Sequence, residues 1–232
     1  MTNTHPPTEL IVALDLDSVS AAEQLIDKLH GKVRYYKVGL RMFLAHGRRV
    51  IDLVRKRDGE VFLDLKLHDI PQTVAHAVQE AQAFGVFSLS LHMLGGADML
   101  KAAAETHPRP RLWGVTVLTS MNDADVKALH PNAAVHPLAR RLAEHGRRHV
   151  DGIICSGHEV AALREDLGAE TTFITPGIRL PGGDAHDQKR HITPAEASAL
   201  GIRYIVVGRP IALAEDPSRT AQTILEQLAV RA

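Results

Sequence analysis

The stretch VFLDLKLHDIP, residues 61–71, carries the reading from which the fold follows. In an extended strand successive side chains point to opposite faces, so Asp64, Lys66 and His68 share one face and Leu63, Leu65 and Leu67 share the other. The leucine face suits contact with a layer of helices. The charged face cannot be buried one residue at a time, because an isolated ion loses its hydration, so acids and lysine there must satisfy each other as a network. A polar turn follows, and helical spacing then runs from Val74 to Phe84.

Outward from this segment the same unit repeats: a short run rich in Val, Ile and Leu, a polar turn, then a stretch with helical period. The spacing predicts strands at Leu10–Leu14, Val33–Val38, Val61–Leu67, Phe87–Leu91, Leu112–Leu118, Gly152–Cys155, Thr172–Thr175 and Tyr204–Val207. Helices are expected at Ala21–Leu29, Met42–Lys56, Val74–Phe84 and Leu138–Arg148, with Gly31, Gly85 and Gly168 as left-handed residues close behind helical stretches. Strands separated by helices pair in parallel, and eight such units close most simply into an α/β fold, the (β/α)8 TIM barrel. The alternative is an open doubly wound sheet. It would want G-x-G-x-x-G after the first strand, and the sequence has none there. One domain is expected over residues 9–232, preceded by a flexible lead-in over 1–8.

Composition narrows the function classes. The 232 residues are 45% hydrophobic and 23% charged, with 27 basic and 27 acidic side chains. A net charge of zero gives no field for a nucleic-acid backbone or an anionic membrane, so neither is an expected partner. Cys155 is the one cysteine, which rules out an internal disulfide and suits a reducing compartment such as the cytoplasm. The start MTNTHPPTEL is not a basic segment followed by a long apolar one, and no run of about 18 apolar residues occurs, so neither secretion nor a membrane span is expected.

Barrel enzymes place their working groups at the C-terminal ends of the strands. Asp15 has the parity of Ile11 and Ala13, and Lys37 stands in YYKVG, so both are expected to point into the mouth with Asp64, Lys66 and Asp69. A structural ion-pair network at the rim would use the same residue types. Three strand ends converging favour function over that alternative. The chemistry such a set suits is negative charge developing on carbon beside a fixed ammonium, which then hands that carbon a proton; Lys66 is the natural donor. Nearby carboxylates favour its charged form, making it an acid and not a Schiff-base nucleophile.

TPGIR (175–179) and VVGRPI (206–211) follow the last two strands, where barrels often bind phosphate. Gly208 permits close backbone approach and Arg209 a bidentate contact. Between them RLPGGDAHDQKRHITP (179–194) reads as a lid, with Arg179 and Gln188 able to close over an anion. HGRRH puts His145 and His149 four apart but lacks the Glu of a metal helix, and together with Arg140, Arg141, Arg147 and Arg148 it reads as a solvated basic face. Cys155 reads as a small buried apolar group.

Taken in order, VALDLDS (12–18), YYKVG (35–39), DLKLHDIPQTV (64–74), His92 with Gly95-Gly96, VTVLTS (115–120), GIICS (152–156), TPGIR, DQKR (187–190) and VVGRPI resemble the bacterial orotidine 5'-phosphate decarboxylase family over nearly the whole chain. The resemblance implies a cofactor-free, metal-free homodimer that converts orotidine 5'-monophosphate to uridine 5'-monophosphate and CO2, the last step of de novo pyrimidine synthesis. It implies Lys66 as proton donor, Asp64 near the departing carboxylate, and Asp69 reaching into the partner's site. Asp15 and Lys37 would bind ribose hydroxyls and join the charged network, with Thr73 near the ribose. Thr119 and Ser120 would meet the pyrimidine, Gln188 would bridge base and phosphate, and Pro176, Arg179, Gly208 and Arg209 would complete the substrate contacts. Gln72 departs from a frequent Asn, and Asp184–His186 are additional lid residues. A magnesium-dependent sugar-phosphate decarboxylase or aldolase shares D-x-K-x-x-D, but Lys37 places a cation where a metal would want an acid. A non-catalytic phosphate-binding barrel would not need Lys66 between two acids.

Overall fold

The computed structural model describes residues 6–180 and 191–229. Eight strands, β1 (Glu9–Ala13), β2 (Tyr35–Gly39), β3 (Glu60–Leu67), β4 (Ser88–His92), β5 (Arg111–Val115), β6 (Gly152–Ile154), β7 (Phe173–Thr175) and β8 (Tyr204–Val207), form one closed parallel barrel in chain order, β8 pairing back onto β1. The expected fold is the observed one. Helices α1 (Val19–Leu29), α2 (Leu40–His46), α3 (Arg48–Arg55), α4 (Pro71–Ala83), α5 (Gly96–Ala104), α6 (Asp123–Leu129), α7 (Val135–Gly146), α8 (Gly157–Leu167), α9 (Pro194–Ala199), α10 (Arg209–Ala212) and α11 (Pro217–Ala229) lie between and after the strands.

Two expected elements are corrected. The single helix over Met42–Lys56 is two, α2 and α3, because Gly47 between them has φ 55°, a left-handed conformation that no helix continues through. The fifth strand stops at Val115 rather than Leu118: Val117 turns away into a small satellite core with Val126, Val135 and Ala139 beneath α6 and α7. Gly31, Gly85 and Gly168 do follow helices with φ of 77°, 69° and 99°.

Strand parity sorts the core into two layers. Outward-facing Val12, Leu63, Leu89 and Ile205 pack on the helices. The inner face carries an aromatic plug at the N-terminal end: Tyr35, Phe62, Phe87, Trp113 and Tyr204 pack with ring centroids 4.6–6.1 Å apart. Aromatic rings contribute large buried area and favour tilted or edge contacts. The plug fills the lower barrel, and among the described residues the interior opens into space toward the C-terminal mouth.

Candidate active site

That space is a cavity of about 470 Å³. Its walls differ in kind. The floor and far side are apolar, formed by Phe62, Val115, Ile154, Ile174 and Val206, whereas β2, β3 and the segment just after β1 supply Asp15, Lys37, Asp64 and Lys66. The four charges form an alternating chain. Lys37 Nζ lies 3.1 Å from Asp15 Oδ2 and 3.6 Å from Asp64 Oδ2, and Lys66 Nζ donates to Asp64 at 2.9 and 2.8 Å. Neither sign dominates, so the buried end of the chain is neutralised from within.

Asp64 is the deepest member, 8% exposed. Burial pushes its carboxyl up, but the ammonium groups of Lys37 and Lys66, with hydrogen bonds from Lys66 and Ser90, outweigh this and hold it below the usual carboxylate range. Gly39, register partner of Asp64, keeps this corner open: a Cβ there would stand 2.8 Å from Asp15 Oδ1 and 3.0 Å from Lys37 Nζ.

Lys66 sits where β3 departs from regular pairing. Leu63 pairs with Leu89 and Leu67 with Leu91, so β3 advances four residues while β4 advances two. The surplus is taken up by a bulge in which Lys66 has φ 50°. For a residue with a Cβ this region costs on the order of 1–3 kcal/mol and persists only where surroundings enforce it. The leucine face expected from parity holds, Leu63 buried and Leu65 and Leu67 packed partly buried against the outer core.

Beyond the bulge His68 is exposed and its ring stacks on His92 at 5.6 Å. His92 is pushed down to about 4 by burial, with His68 and Lys66 adding to the effect. Its Nδ1 accepts from the Leu94 amide, so it stands near Lys66 as a neutral ring at neutral pH.

At the opposite rim Thr119, Pro176, Arg179, Gly208 and Arg209 line the same cavity. A Cβ at Gly208 would meet only Ala13 Cβ at 3.4 Å, an ordinary contact, so packing does not dictate the glycine. Cys155, buried at 1%, contributes to the wall. Three expected residues lie outside the lining: Asp69, Thr73 and Ser120 are exposed, and Asp69 Oδ1 accepts from the amide of Ile70 at 2.7 Å. Gln188 and the added residues Asp184–His186 fall outside the described residues. Ser90, which donates to Asp64 Oδ1 at 2.8 Å, is a site residue beyond those expected from sequence. A signal is present in the sequence, since SLSLH (88–92) alternates polar and leucine residues, which sets Ser88 and Ser90 on the face opposite the leucines.

The basic face around α7 is a surface feature: Arg140 pairs with Glu144 at 3.0 Å and Asp166 at 2.6 Å. Among the described residues no group of three or more His, Cys, Asp or Glu side chains is placed to hold a metal ion, and no helix is long and apolar enough to cross a membrane.

A closed barrel with a pocket at the C-terminal ends of its strands, half charged and half apolar, defines an enzyme of the (β/α)8 class. The chain belongs to the orotidine 5'-phosphate decarboxylase / HUMPS family, whose profile matches residues 8–224. It is 41% identical over 231 residues to a protein of Syntrophotalea carbinolica named orotidine 5'-phosphate decarboxylase, covering 95% of both chains. A protein of the same name from Laribacter hongkongensis is 44% identical, covering 96% of this chain and 93% of the relative. Among solved structures, that of orotidine 5'-phosphate decarboxylase from Lactobacillus acidophilus superposes with a TM-score of 0.83 at 34% identity, covering 96% of this chain and all of that one.

Proposed function

We propose that the protein decarboxylates orotidine 5'-monophosphate to uridine 5'-monophosphate and CO2. The observation that carries this reading is Lys66 Nζ held 2.8 Å from a buried Asp64 at the edge of a cavity whose other wall is apolar. A pyrimidine ring fits the apolar wall, and its ionised carboxyl group faces the charged one. When the C–C bond breaks, its electron pair stays on ring carbon and CO2 leaves uncharged. The ammonium of Lys66 stabilises that pair electrostatically and then donates a proton to it, forming the C–H bond of the product. Lys37 and Asp15 bind ribose hydroxyls. Arg209 and Arg179, with Gln188, hold the phosphate end, so that contacts remote from the reacting carbon supply binding energy for positioning the base.

The test is the loss of ultraviolet absorbance of orotidine 5'-monophosphate with purified protein in excess EDTA. Turnover supports both the substrate and a reaction that needs no divalent metal. Absence of turnover with and without magnesium refutes the reading.

The active unit is a homodimer in which Asp69 of the partner subunit completes an Asp-Lys-Asp-Asp network at each site. What supports this is the position of Asp69: it is exposed, five residues from Asp64, outside the cavity lining of its own chain, and beside Ile70, an apolar side chain 67% exposed. Mixing Lys66→Ala and Asp69→Ala subunits is expected to recover roughly a quarter of wild-type activity, because each heterodimer then holds one intact site while each parent stays orders of magnitude lower. Heterodimers that form yet stay silent would exclude a shared site.

A further inference from the structure

Lys66 and Asp64 are fixed relative to each other by a third side chain. Because β3 slips past β4 between Leu63 and Leu67, the amide of Lys66 has no place in the ladder, and a part-buried N–H requires another acceptor. It donates to Ser90 Oγ at 2.8 Å. The same hydroxyl lies 2.8 Å from Asp64 Oδ1. A hydroxyl has one proton and two lone pairs. With a lone pair engaged by the Lys66 amide, and with a carboxylate able only to accept, the Ser90 proton must be directed at Asp64. Ser90 is 0% exposed, so both contacts are made out of reach of bulk solvent.

We propose that Ser90 is a positioning residue for the reaction: its hydroxyl bridges the backbone of Lys66 and the carboxylate of Asp64, holding the lysine in its left-handed conformation and the ammonium against the carboxylate. The contacts form a closed ring, from Ser90 to the Lys66 amide, along the lysine side chain to Nζ, across to Asp64 and back to Ser90. Each member is thereby located by two others. Regular strand geometry would satisfy the amide without help, whereas the bulge makes the hydroxyl necessary. Position 90 must be small enough for the barrel interior and must be donor and acceptor at once, which alanine, valine and leucine cannot be. The inference rests on the reading that Lys66 and Asp64 act on orotidine 5'-monophosphate.

The experiment compares Ser90→Ala, Ser90→Thr and Ser90→Cys in the full-length protein, by steady-state kinetics and by hydrogen exchange of the Lys66 amide. For Ser90→Ala the expected result is a kcat lower by roughly ten- to a hundredfold, the range set by losing hydrogen bonds to a charged group, with KM within about threefold of wild type. The Lys66 amide exchanges at least about tenfold faster once its acceptor is gone. Ser90→Thr, which keeps the hydroxyl, restores most of the rate and the protection. Ser90→Cys, close in size but a weak donor and acceptor, resembles Ser90→Ala and decides the matter should the alanine variant fail to fold. A Ser90→Ala or Ser90→Cys protein with wild-type kcat overturns the proposal. So do equal losses in alanine and threonine variants with Lys66 protection unchanged, which would mark a simple packing defect. If wild type fails to turn over orotidine 5'-monophosphate, the functional reading falls, while amide exchange still decides whether Ser90 holds Lys66.

Discussion

Replacing Lys66 with alanine is expected to lower kcat on orotidine 5'-monophosphate by roughly 10⁴-fold, the upper end of what one positioned acid contributes, with KM changed far less. The size follows from two losses at one atom. On the proposed mechanism the ammonium that would stabilise charge on the ring carbon is gone, and so is the proton that carbon would receive. Asp64, meanwhile, loses its 2.8 Å partner and keeps Lys37 at 3.6 Å as its remaining ammonium neighbour. Lys66→Arg should rescue little, because a planar guanidinium cannot place a compact charge at the same point and does not release its proton. The measurement is the rate of absorbance loss at saturating substrate. An alanine variant retaining a tenth of wild-type kcat would remove Lys66 from the chemistry.

Asp64→Asn is expected to lower kcat by roughly 10²- to 10³-fold, within the range seen when a preorganised electrostatic contact is lost. Asparagine keeps the shape and can still accept from Ser90, but its NH2 then takes the place of the oxygen that accepts from Lys66 and faces Lys37, so the substitution removes the charge and one acceptor together. Without that charge the ammonium groups of Lys37 and Lys66 face each other across an uncharged amide, and repulsion moves Lys66 from the position the reaction uses. The pH dependence has a definite sign. Asp64 is held below its ordinary range in the folded protein, so it stays ionised through mildly acidic pH and contributes no acid limb to the rate there. By linkage its contribution to stability is fully present above its unfolded value of about 4 and is lost as pH falls through the lower folded value. Urea unfolding at acid and neutral pH reads this directly: the gap between the two midpoints should narrow in Asp64→Asn. A variant with more than half of wild-type kcat would make Asp64 a structural anion only.

In the charged corner the cation between the carboxylates is a lysine. Lys37 touches both Asp15 and Asp64 and is 13% exposed at its side chain, so one ammonium neutralises two carboxylates from a single point. Being covalently attached, it brings one positive charge at fixed geometry, while the second ammonium, Lys66, stands on Asp64 at the cavity lining.

Local periodicity by itself determined much of this protein. Eight short apolar runs, separated by helical stretches, specify the strands and their pairing in parallel, because strands covered on both faces read as near-continuous apolar segments. Strand parity alone puts Asp15, Lys37, Asp64 and Lys66 on the interior face. Periodicity also misled, and for the same reason. It runs on through Gly47, whose φ of 55° divides one expected helix into two, and through Val117, which leaves the sheet to join a satellite core. What only the tertiary structure decided is relative position between segments distant in sequence. The slip of β3 against β4, the left-handed Lys66 and the bridging hydroxyl of Ser90 arise from barrel closure, which sets strand register through contacts no single segment contains. Sequence dictates which side chains face inward; the closed sheet dictates which of them meet.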